Sequence, residues 1–547
     1  MPHETLTTIK PRKYQQDIYE VCKTKNCLVV LPTGIGKTLI ALMLAINRQK
    51  AFPGSKVLFL APTKPLAEQH LNYFKKHLPE LFGQLELFTG KVEAPNRKKI
   101  WQTADIIFST PQCIGNDLKK RLYDLSDVSL LIEDQCHRCL KNYAYTYVAQ
   151  EYHNQAKNPR ILGLTASPGA EKKIIEQIAE NLRIDAIELR TRDSPDVKEY
   201  LQELKFDVIR VDFPEDFDKI RQLLKIMFLR KVEELKSRKL LYGPPMKKVI
   251  LETQGRIMKA ISSGNKHFNL LMGASACSQA IKLEHAIELL ETQTLSSVYE
   301  YFHDLFQQAK ENKSKAVINL VKQPEFNQAF ILLNELLSKK IEHPKLLKIK
   351  ALIQEKIKEN PKNKAIIFTQ FRSTAVKICR EMNTIPDINA SVFVGQAISK
   401  LKSGEQVGLN QKEQGKMIQD FKEGTINVLC ATSIGEEGLD IPEVNAVIFY
   451  EPIPSAIRKI QRTGRTARLM KGNLTILITL DTRDEAYYYV AIAREKKMYT
   501  AIQSVKDSLD LNNGIQKAIE SEEKPIQKEV IEEDKKQKTP FDIHKKD

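Results

Sequence analysis

The chain has 547 residues, 42% of them hydrophobic, and a formal net charge of +17 at pH 7. At roughly 150 residues per domain, this length excludes a single small domain and predicts three or four folded units. No run of about 18 apolar residues occurs, and the polar N-terminus has no signal-peptide core, so we expect a cytoplasmic protein. The basic charge favours a polyanionic partner such as nucleic acid.

Short apolar runs alternate with helical periodicity in the first part of the chain, residues 1–214. The runs that we interpret as strands are 28–30, 57–60, 85–88, 106–108, 130–132 and 161–164. Strands that alternate with helices predict a parallel sheet covered by helices on both faces. Because such sheets bind ligands at the carboxyl ends of their strands, the residues that follow these runs are expected to lie on one rim.

A glycine-rich turn, residues 31–38, follows the first predicted strand and leads directly into helical periodicity. Such a turn directs backbone N–H groups and the positive end of a helix at one spot, which suits a polyphosphate. Lys37 is expected to reach the β- and γ-phosphates, and the Thr38 hydroxyl to bind Mg²⁺. The other loop residues predicted to hold the nucleotide are Thr33, Gly34 and Gly36.

Residues 215–341 have a different texture, because apolar residues recur at helical spacing with almost no alternation. This pattern predicts an all-helical insert domain. The insert is rich in lysine and arginine, and two interpretations of that charge stay open: a solvated face or a contact with nucleic acid.

Alternation resumes in residues 342–505, which we expect to form a second α/β domain. Its predicted strands are 365–368, 391–394, 428–431, 446–450 and 474–480, and no second phosphate loop occurs. Residues 506–547 are expected to form a tail that is charged and, most clearly from 521 onward, disordered.

The second domain is therefore expected to complete a site on the first, and residues 461–468 are the candidate segment. Arg462, Arg465 and Arg468 recur at a spacing of three, so they share one face of a predicted helix. Guanidinium groups stabilise the charge that develops on a transferring phosphoryl group. The alternative is an ordinary basic surface helix.

The motifs in their order resemble those of the superfamily 2 helicases, and most closely the branch that includes archaeal Hef and the Fanconi anaemia group M translocase. The resemblance covers about residues 8–500 and implies two RecA-like domains. The segments that carry it are Arg12 with Tyr14 and Gln15, then 31–38, 61–66, 110–112, 134–137, 165–167, 432–440 and 461–468. The segments that narrow it to this branch are 285–290, 393–396, 436–440 and 483–487.

The resemblance implies roles for individual residues of the ATP site. Tyr14 and Gln15 would hold adenine beside Arg12, and Asp134 would bind Mg²⁺ through water. His137, Thr165 and Ser167 would couple the ATP site to the nucleic-acid groove. From the second domain, the residues implied at the nucleotide are Gly438, Asp440, Gln461, Arg465 and Arg468.

A second set is implied to contact the backbone phosphates of the tracked strand, which positions a strand without reading its sequence. The members of this set are Thr63, Gly90, Thr110, Thr369, Arg372, Gln396 and Thr432.

The sequence departs from the family at one catalytic position, because Gln135 stands where the family has the glutamate that orients and deprotonates the attacking water. Glutamine can hold water but cannot accept its proton, and such general-base assistance contributes roughly 10²- to 10⁴-fold in rate. Glu133 is not expected to replace it, because neighbouring strand side chains point to opposite faces. Ala467 replaces a usual glycine, a milder change.

Three functions follow as hypotheses. The first is an ATP-dependent helicase or translocase on branched DNA in repair or fork restart, associated with the nucleoid. The second is an ATP-gated clamp on branched DNA with weak or no hydrolysis, and the third is a superfamily 2 ATPase directed at duplex RNA. Nuclease domains that often follow in Hef-type proteins are not recognisable here, so a separate nuclease or a replication clamp is an expected partner.

Overall fold

The computed structural model describes residues 9–79, 82–201, 204–265, 267–395, 399–400, 406–432, 441–455 and 472–533. The chain divides into two compact units, one formed by Met1–Glu199 with Glu495–Asp547 and the other by Tyr200–Arg494. Each unit contains one large parallel sheet, and a run of helices belongs to the second. The predicted fold class is therefore confirmed.

A seven-stranded parallel sheet forms the core of the first unit. In chain order, its elements are α1 (Lys13–Thr24), β1 (Cys27–Val30), α2 (Lys37–Ala51), β2 (Lys56–Leu60), α3 (Lys64–His77), β3 (Leu85–Phe88), α4 (Ala94–Thr103), β4 (Ile106–Ser109), α5 (Pro111–Lys119), β5 (Val128–Asp134), α6 (Ala144–Gln155), β6 (Ile161–Thr165), α7 (Lys172–Asn181), β7 (Ala186–Leu189) and α8 (Pro195–Lys198). The strands lie in the order β3-β4-β2-β5-β6-β1-β7. Strands β1, β4, β5 and β6 are buried at every position, as expected when helices cover both faces.

The predicted motifs of this unit follow five neighbouring strands. The phosphate loop comes after β1, and the segments 61–66, 110–112, 134–137 and 165–167 come at the ends of β2, β4, β5 and β6. Because these strands are parallel, their carboxyl ends form one rim of the sheet. The rim gathers segments that are up to about 130 residues apart in sequence.

The second unit combines a six-stranded parallel sheet with a helical segment. In chain order, its elements are β8 (Leu204–Val211), α9 (Glu215–Ser237), α10 (Lys247–Ser262), α11 (Phe268–Thr292), α12 (Leu295–Lys310), α13 (Lys315–Val321), α14 (Pro324–Ser338), α15 (Pro344–Glu359), β9 (Ala365–Phe368), α16 (Arg372–Met382), β10 (Ala390–Phe393), β11 (Ser399–Lys400), β12 (Gln406–Val407), α17 (Gln411–Glu423), β13 (Val428–Ala431), β14 (Ala446–Phe449), β15 (Gly472–Thr479) and α18 (Arg483–Glu533). The large sheet has the order β10-β13-β9-β14-β15-β8, and β11 pairs with β12. Helices α9 to α14 share one apolar core.

The first domain, predicted to extend to residue 214, ends earlier in the structure. Strand β8 pairs along its whole length with β15, from Leu204 opposite Gly472 to Val211 opposite Thr479, so it belongs to the second sheet. An apolar pattern identifies a strand but not its partner. Here the partner follows the entire helical segment in sequence, which no local pattern indicates.

The predicted boundary at residue 505 also differs, because Glu495 and the residues after it belong to the first unit. Helix α18 therefore begins in one unit and continues in the other, and it extends into the segment predicted to be a tail. Residues 534–547 lie outside the described residues. Among the described helices, none has the length and apolar character needed to cross a membrane.

The start of α18 is joined to the helical segment by ion pairs. The Arg483 guanidinium lies 3.1 Å from the Glu284 carboxylate and 3.3 Å from that of Glu291. The Tyr487 hydroxyl donates to Glu288 over 3.2 Å. The segments 285–290 and 483–487, which narrowed the family resemblance, therefore contact each other directly.

A buried ion pair strengthens the same junction. The Lys345 ammonium group lies 2.7 Å from the Asp484 carboxylate, and both side chains are completely buried. Lys345 also donates to the Thr292 carbonyl over 2.7 Å, and Asp484 accepts from the Thr479 amide. Since a buried charge is tolerated only when it is paired and hydrogen-bonded, these contacts fix the ends of α11, α15 and α18 together.

Glu288 shows how strongly this junction depends on charge. Its carboxylate lies 2.6 Å from the Lys247 ammonium group and 3.4 Å from the His285 ring. Burial opposes its ionisation, but hydrogen bonds from His285 and Lys247 and their charges outweigh burial and lower the pKa of Glu288 to about 2.

We expect Glu288→Gln to lower the free energy of unfolding at pH 7 by about 3 kcal/mol, because the native state loses a stabilised carboxylate. A depressed native pKa contributes stability above the unfolded pKa, so the difference from the wild type should shrink as pH falls from about 4.5 toward about 2. Denaturant unfolding at several pH values measures it. The control is Glu252→Gln, an exposed partner of Lys248, which should change stability by less than about 1 kcal/mol at every pH. Equal, pH-independent losses in both variants would contradict the prediction.

Candidate active site

The phosphate loop between β1 and α2 adopts a conformation that favours glycine at two positions. Gly34 and Gly36 have φ angles of 85° and 88°, in the left-handed region. A Cβ atom at Gly36 would also collide with the side-chain amide of Gln15. The Thr33 hydroxyl is buried and has no hydrogen-bond partner within the described chain.

The phosphate loop is held by hydrogen bonds from the first motif, Arg12 with Tyr14 and Gln15. The buried Tyr14 hydroxyl donates to the Ile35 carbonyl over 2.5 Å, and the Gln15 amide nitrogen lies 3.3 Å and 3.4 Å from the carbonyls of Ile35 and Gly36. The Arg12 backbone amide donates to Gln15 Oε1 over 2.9 Å. In this conformation the polar atoms of Tyr14 and Gln15 therefore position the loop. Their predicted contact with adenine stays a prediction.

His70 connects the two residues predicted to serve Mg²⁺. Its Nδ1 lies 3.5 Å from the Thr38 hydroxyl, and its Nε2 lies 3.0 Å from Asp134 Oδ2. Lys37 donates to the carbonyls of Leu31 and Pro32, over 2.8 Å and 3.1 Å. The structure thus brings the end of the phosphate loop and the end of β5 together around one histidine.

Asp134 is kept ionised by this environment. Burial raises its pKa, but the hydrogen bond and charge of His70, the charge of Lys37 and the backbone amide of Gln135 together lower that pKa below its usual value. Its own carbonyl accepts a hydrogen bond from the buried Tyr145 hydroxyl over 2.5 Å. The same hydroxyl lies 3.3 Å from the Leu60 carbonyl, so Tyr145 joins the ends of β2 and β5.

His70 and Tyr145 contact the predicted site residues, and the sequence analysis missed both. His70 lies in the buried stripe of α3, whose other members are apolar apart from His77. A polar residue in such a stripe is a signal that could have identified it. No pattern in the sequence distinguishes Tyr145 from other tyrosines of α6, because its role depends on two carbonyl groups from different strands.

Gln135 occupies a strained position beside Asp134. Its φ angle is 58°, in the left-handed region, which costs an ordinary residue about 1 kcal/mol. Its side-chain oxygen is buried and has no hydrogen-bond partner within the described chain. Glu133, the strand residue before Asp134, is completely buried. Burial raises the pKa of Glu133 to about 8, although a hydrogen bond with Cys139 lowers it in part. Glu133 is thus mostly protonated near neutral pH and lies beside Cys139.

The three residues predicted to couple the site to nucleic acid form one hydrogen-bonded chain. His137 Nδ1 lies 3.0 Å from the Thr165 hydroxyl. That hydroxyl donates to the Ser167 carbonyl and accepts from the Ser167 amide, each over 3.1 Å. The segment after β5 is therefore linked to the segment after β6.

The predicted phosphate contacts of the first unit lie where helices begin or turns are exposed. Thr63 is exposed and immediately precedes α3, and Thr110 immediately precedes α5. Gly90 is exposed in the turn after β3, with open space around its Cα. These placements leave backbone amides and hydroxyls on the rim, but the contacts themselves stay predictions.

In the second unit, the predicted contact residues are more enclosed. Thr369 is completely buried, and its hydroxyl donates to Gln293 Oε1 over 3.3 Å. The same oxygen accepts from Thr374 over 2.8 Å. Arg372 begins α16 and donates to the Gly395 carbonyl over 3.5 Å, and Thr432 is nearly buried. In this conformation the Thr369 side chain is committed to Gln293, in the loop between α11 and α12.

Several predicted residues lie outside the described residues. They are Gln396, Gly438, Asp440, Gln461, Arg465 and Arg468.

Comparison with known proteins identifies the family. The model described as DEAD/DEAH box helicase matches residues 12–175, that of the helicase conserved C-terminal domain matches 347–470, and one described as a putative ATP-dependent RNA helicase helical bundle matches 216–342. The crystal structure of the Pyrococcus furiosus Hef helicase domain is 43% identical, matching 88% of this chain and 98% of that one with a TM-score of 0.67. This chain belongs to the Hef-type superfamily 2 helicases. The resemblance inferred from the motifs is confirmed.

Longer relatives contain this helicase part. A putative ATP-dependent RNA helicase of Methanocaldococcus jannaschii is 36% identical over 501 residues, which are 91% of this chain and 61% of that protein. The ATP-dependent DNA helicase fml1 of Schizosaccharomyces pombe is 32% identical, over 90% of this chain and 59% of that protein. The Fanconi anemia group M protein homolog of Mus musculus is 31% identical, over 93% and 26%. The chain thus spans less than two thirds of each.

The residues on the rim fit ATP and Mg²⁺. The glycine loop leaves no room for a side chain at Gly36, the buried Thr33 hydroxyl has no partner within the described chain, and Lys37 lies at the start of α2. The oxygen atoms of Thr38 and Asp134 are the type of ligand that Mg²⁺ prefers. Both oxygens are oriented by His70.

We expect His70→Ala to lower the affinity for Mg²⁺ in the nucleotide complex about 10- to 100-fold. This is the usual effect of removing a residue that orients a metal-binding carboxylate. Titration of Mg²⁺ against a fluorescent ATP analogue measures this effect. The control is His77→Ala, which changes a second buried histidine of the same helix; its ring packs against that of Tyr73, with the ring planes tilted by 59°. An unchanged Mg²⁺ titration in His70→Ala, or an equal loss in His77→Ala, would exclude this role.

Proposed function

We propose that this chain is an ATP-driven helicase or translocase that acts on branched DNA, such as stalled forks and junctions, in repair or fork restart. The observation that carries the proposal is the joined arrangement of Thr38, His70 and Asp134 beside the phosphate loop. The name of the S. pombe relative, a DNA helicase, favours DNA, whereas that of the M. jannaschii relative mentions RNA.

In the proposed cycle, the phosphates of ATP bind the loop amides, and Lys37 exchanges its carbonyl partners for the β- and γ-phosphates. Thr38 and Asp134 would hold Mg²⁺, which would neutralise charge on the phosphates. Gln461, Arg465 and Arg468 would face the triphosphate from the second motor domain, with Gly438 and Asp440 near the sugar and γ-phosphate. Closure of the two domains around one nucleotide then drives movement along a strand.

The proposed path of the strand follows backbone phosphates. In the first domain it passes Thr63, Gly90 and Thr110. In the second it passes Arg372, Gln396 and Thr432, whereas Thr369 would have to leave Gln293 before its hydroxyl could contribute. The helical segment holds the duplex or branch, and a separate nuclease or replication clamp acts with the chain.

A second function, an ATP-gated clamp with little turnover, is favoured by one observation. Gln135 cannot accept a proton. Apart from Asp134, which is predicted to serve Mg²⁺, the carboxyl group at this end of the strand is that of Glu133, which is buried beside Cys139 and has a raised pKa. Nucleotide binding does not need the missing base, because Lys37, Thr38 and Asp134 are in place. The chain would then close on DNA with ATP and release it slowly.

Restoring the base separates the two functions. We expect Gln135→Glu to raise DNA-stimulated ATP hydrolysis about 10²- to 10⁴-fold, since a carboxylate can take the proton of the attacking water. Steady-state hydrolysis on forked DNA measures the rate, and Lys37→Ala in the same background gives the baseline. A brisk wild-type rate that Gln135→Glu leaves unchanged would remove the reason for the clamp hypothesis.

Competition between nucleic acids tests the substrate. We expect forked DNA to stimulate hydrolysis by Gln135→Glu more than single-stranded or linear duplex DNA, and to displace labelled duplex RNA at equal concentration. Binding should weaken as salt rises, because phosphate contacts release counterions. Preference for duplex RNA would favour the RNA-directed alternative, and no stimulation by any nucleic acid would contradict the helicase proposal.

A further inference from the structure

The hydrogen-bonded chain of the coupling residues continues beyond Ser167. The Ser167 hydroxyl donates to the sulfur of Met498 over 2.8 Å. Both residues are almost completely buried, at 1% and 0% exposure. A thioether is a weak acceptor, so the contact combines a weak hydrogen bond with close packing. This series of hydrogen bonds begins at His137, beside the candidate ATP site, and ends at Met498 in α18.

Met498 belongs to a buried stripe on α18. Met498, Ala501, Ile502 and Val505 are buried and recur at the spacing of one helix face. Lys496 and Lys497, which precede the stripe, and Thr500 and Gln503, which lie within it, are exposed. The stripe belongs to the same compact unit as the seven-stranded sheet, so this part of α18 packs as an integral element of the ATP-binding unit.

The beginning of the same helix belongs to the other unit. Asp484 is buried against Lys345, and Arg483 pairs with Glu284 and Glu291, all within Tyr200–Arg494. Between these anchors and Met498, residues 492–494, 496 and 497 are exposed. The sequence from Arg483 to Val505 contains neither glycine nor proline, so nothing in it favours a kink.

We propose that Met498 is a positioning residue for the coupling segment 165–167, because it holds Ser167 and, through Ser167, the hydrogen bonds to Thr165 and His137. This inference rests on the proposed function. It assigns a role to a helix that lies after residue 470, where the family match to the C-terminal helicase domain ends.

The experiment compares Met498→Ala, Met498→Leu and a matched control, Met258→Ala, an exposed methionine of α10. All three are made in the Gln135→Glu background, and thermal unfolding confirms that each is folded. The measurements are ATP hydrolysis on forked DNA, base pairs separated per ATP, and hydrogen exchange of the Ser167 amide.

We expect Met498→Ala to reduce base pairs separated per ATP about 2- to 30-fold, the usual range for residues that couple two sites, while hydrolysis changes much less. The Ser167 amide should exchange faster, because its partner Thr165 is no longer held. Met498→Leu keeps the volume and should restore most of the coupling, and Met258→Ala should match the background. If Met498 had a purely structural role, Met498→Ala would lower stability and ATP hydrolysis together but leave the number of base pairs separated per ATP unchanged. That result would overturn the inference.

The exchange measurement keeps the two proposals distinguishable. If no variant hydrolyses ATP with any nucleic acid, the proposed function fails, and Ser167 exchange alone decides the inference. Faster exchange in Met498→Ala but not in Met258→Ala would support the positioning role. Unchanged exchange would reject it.

Discussion

The rest of the site depends on the contact of His70 with Asp134. A carboxylate buried at the end of a central strand is costly unless an opposite charge or a donor compensates it. Here the imidazole supplies that compensation and also lies beside the Thr38 hydroxyl, at the start of the helix that follows the phosphate loop. Tyr145 fixes the same strand end from the other side through backbone carbonyls. The loop, the two oxygen ligands and the strand ends are therefore held as one preorganised group.

The chemistry of this group is asymmetric. The phosphate loop and the two oxygen groups predicted to hold Mg²⁺ lie together in the first unit, whereas the residue at the position of the expected base is an amide with a left-handed backbone. Glu133 illustrates why proximity in sequence does not supply a substitute. It is one residue away from Asp134, but it is buried beside a thiol and favours its protonated form near neutral pH. Of these two adjacent carboxyl groups, Asp134 is ionised and Glu133 is mostly protonated near neutral pH, because their surroundings differ.

Sequence reasoning identified the parallel sheets, the phosphate loop and the alignment of motifs along one rim, because these features follow from local periodicity and from the parallel arrangement of strands. It failed where long-range pairing decides. Strand β8 pairs with β15, which lies far along the chain. The first domain therefore ends before β8 and not at residue 214. His70, Tyr145 and Gln293 each contact two groups that are distant in sequence or lie on different elements. Such contacts leave no trace in a periodic pattern, although a polar residue in an apolar helix stripe is a usable hint.

Gln293 has a consequence for how the helical segment behaves. One amide oxygen, completely enclosed, accepts from two threonines that flank the start of α16, and Ser297 lies 2.9 Å from Ser373 nearby. Buried hydrogen bonds therefore connect the helical segment to its sheet, and a rotation between the two would break them. We therefore expect these helices and their sheet to move together as one body, because a rotation between them would leave buried polar groups unpaired.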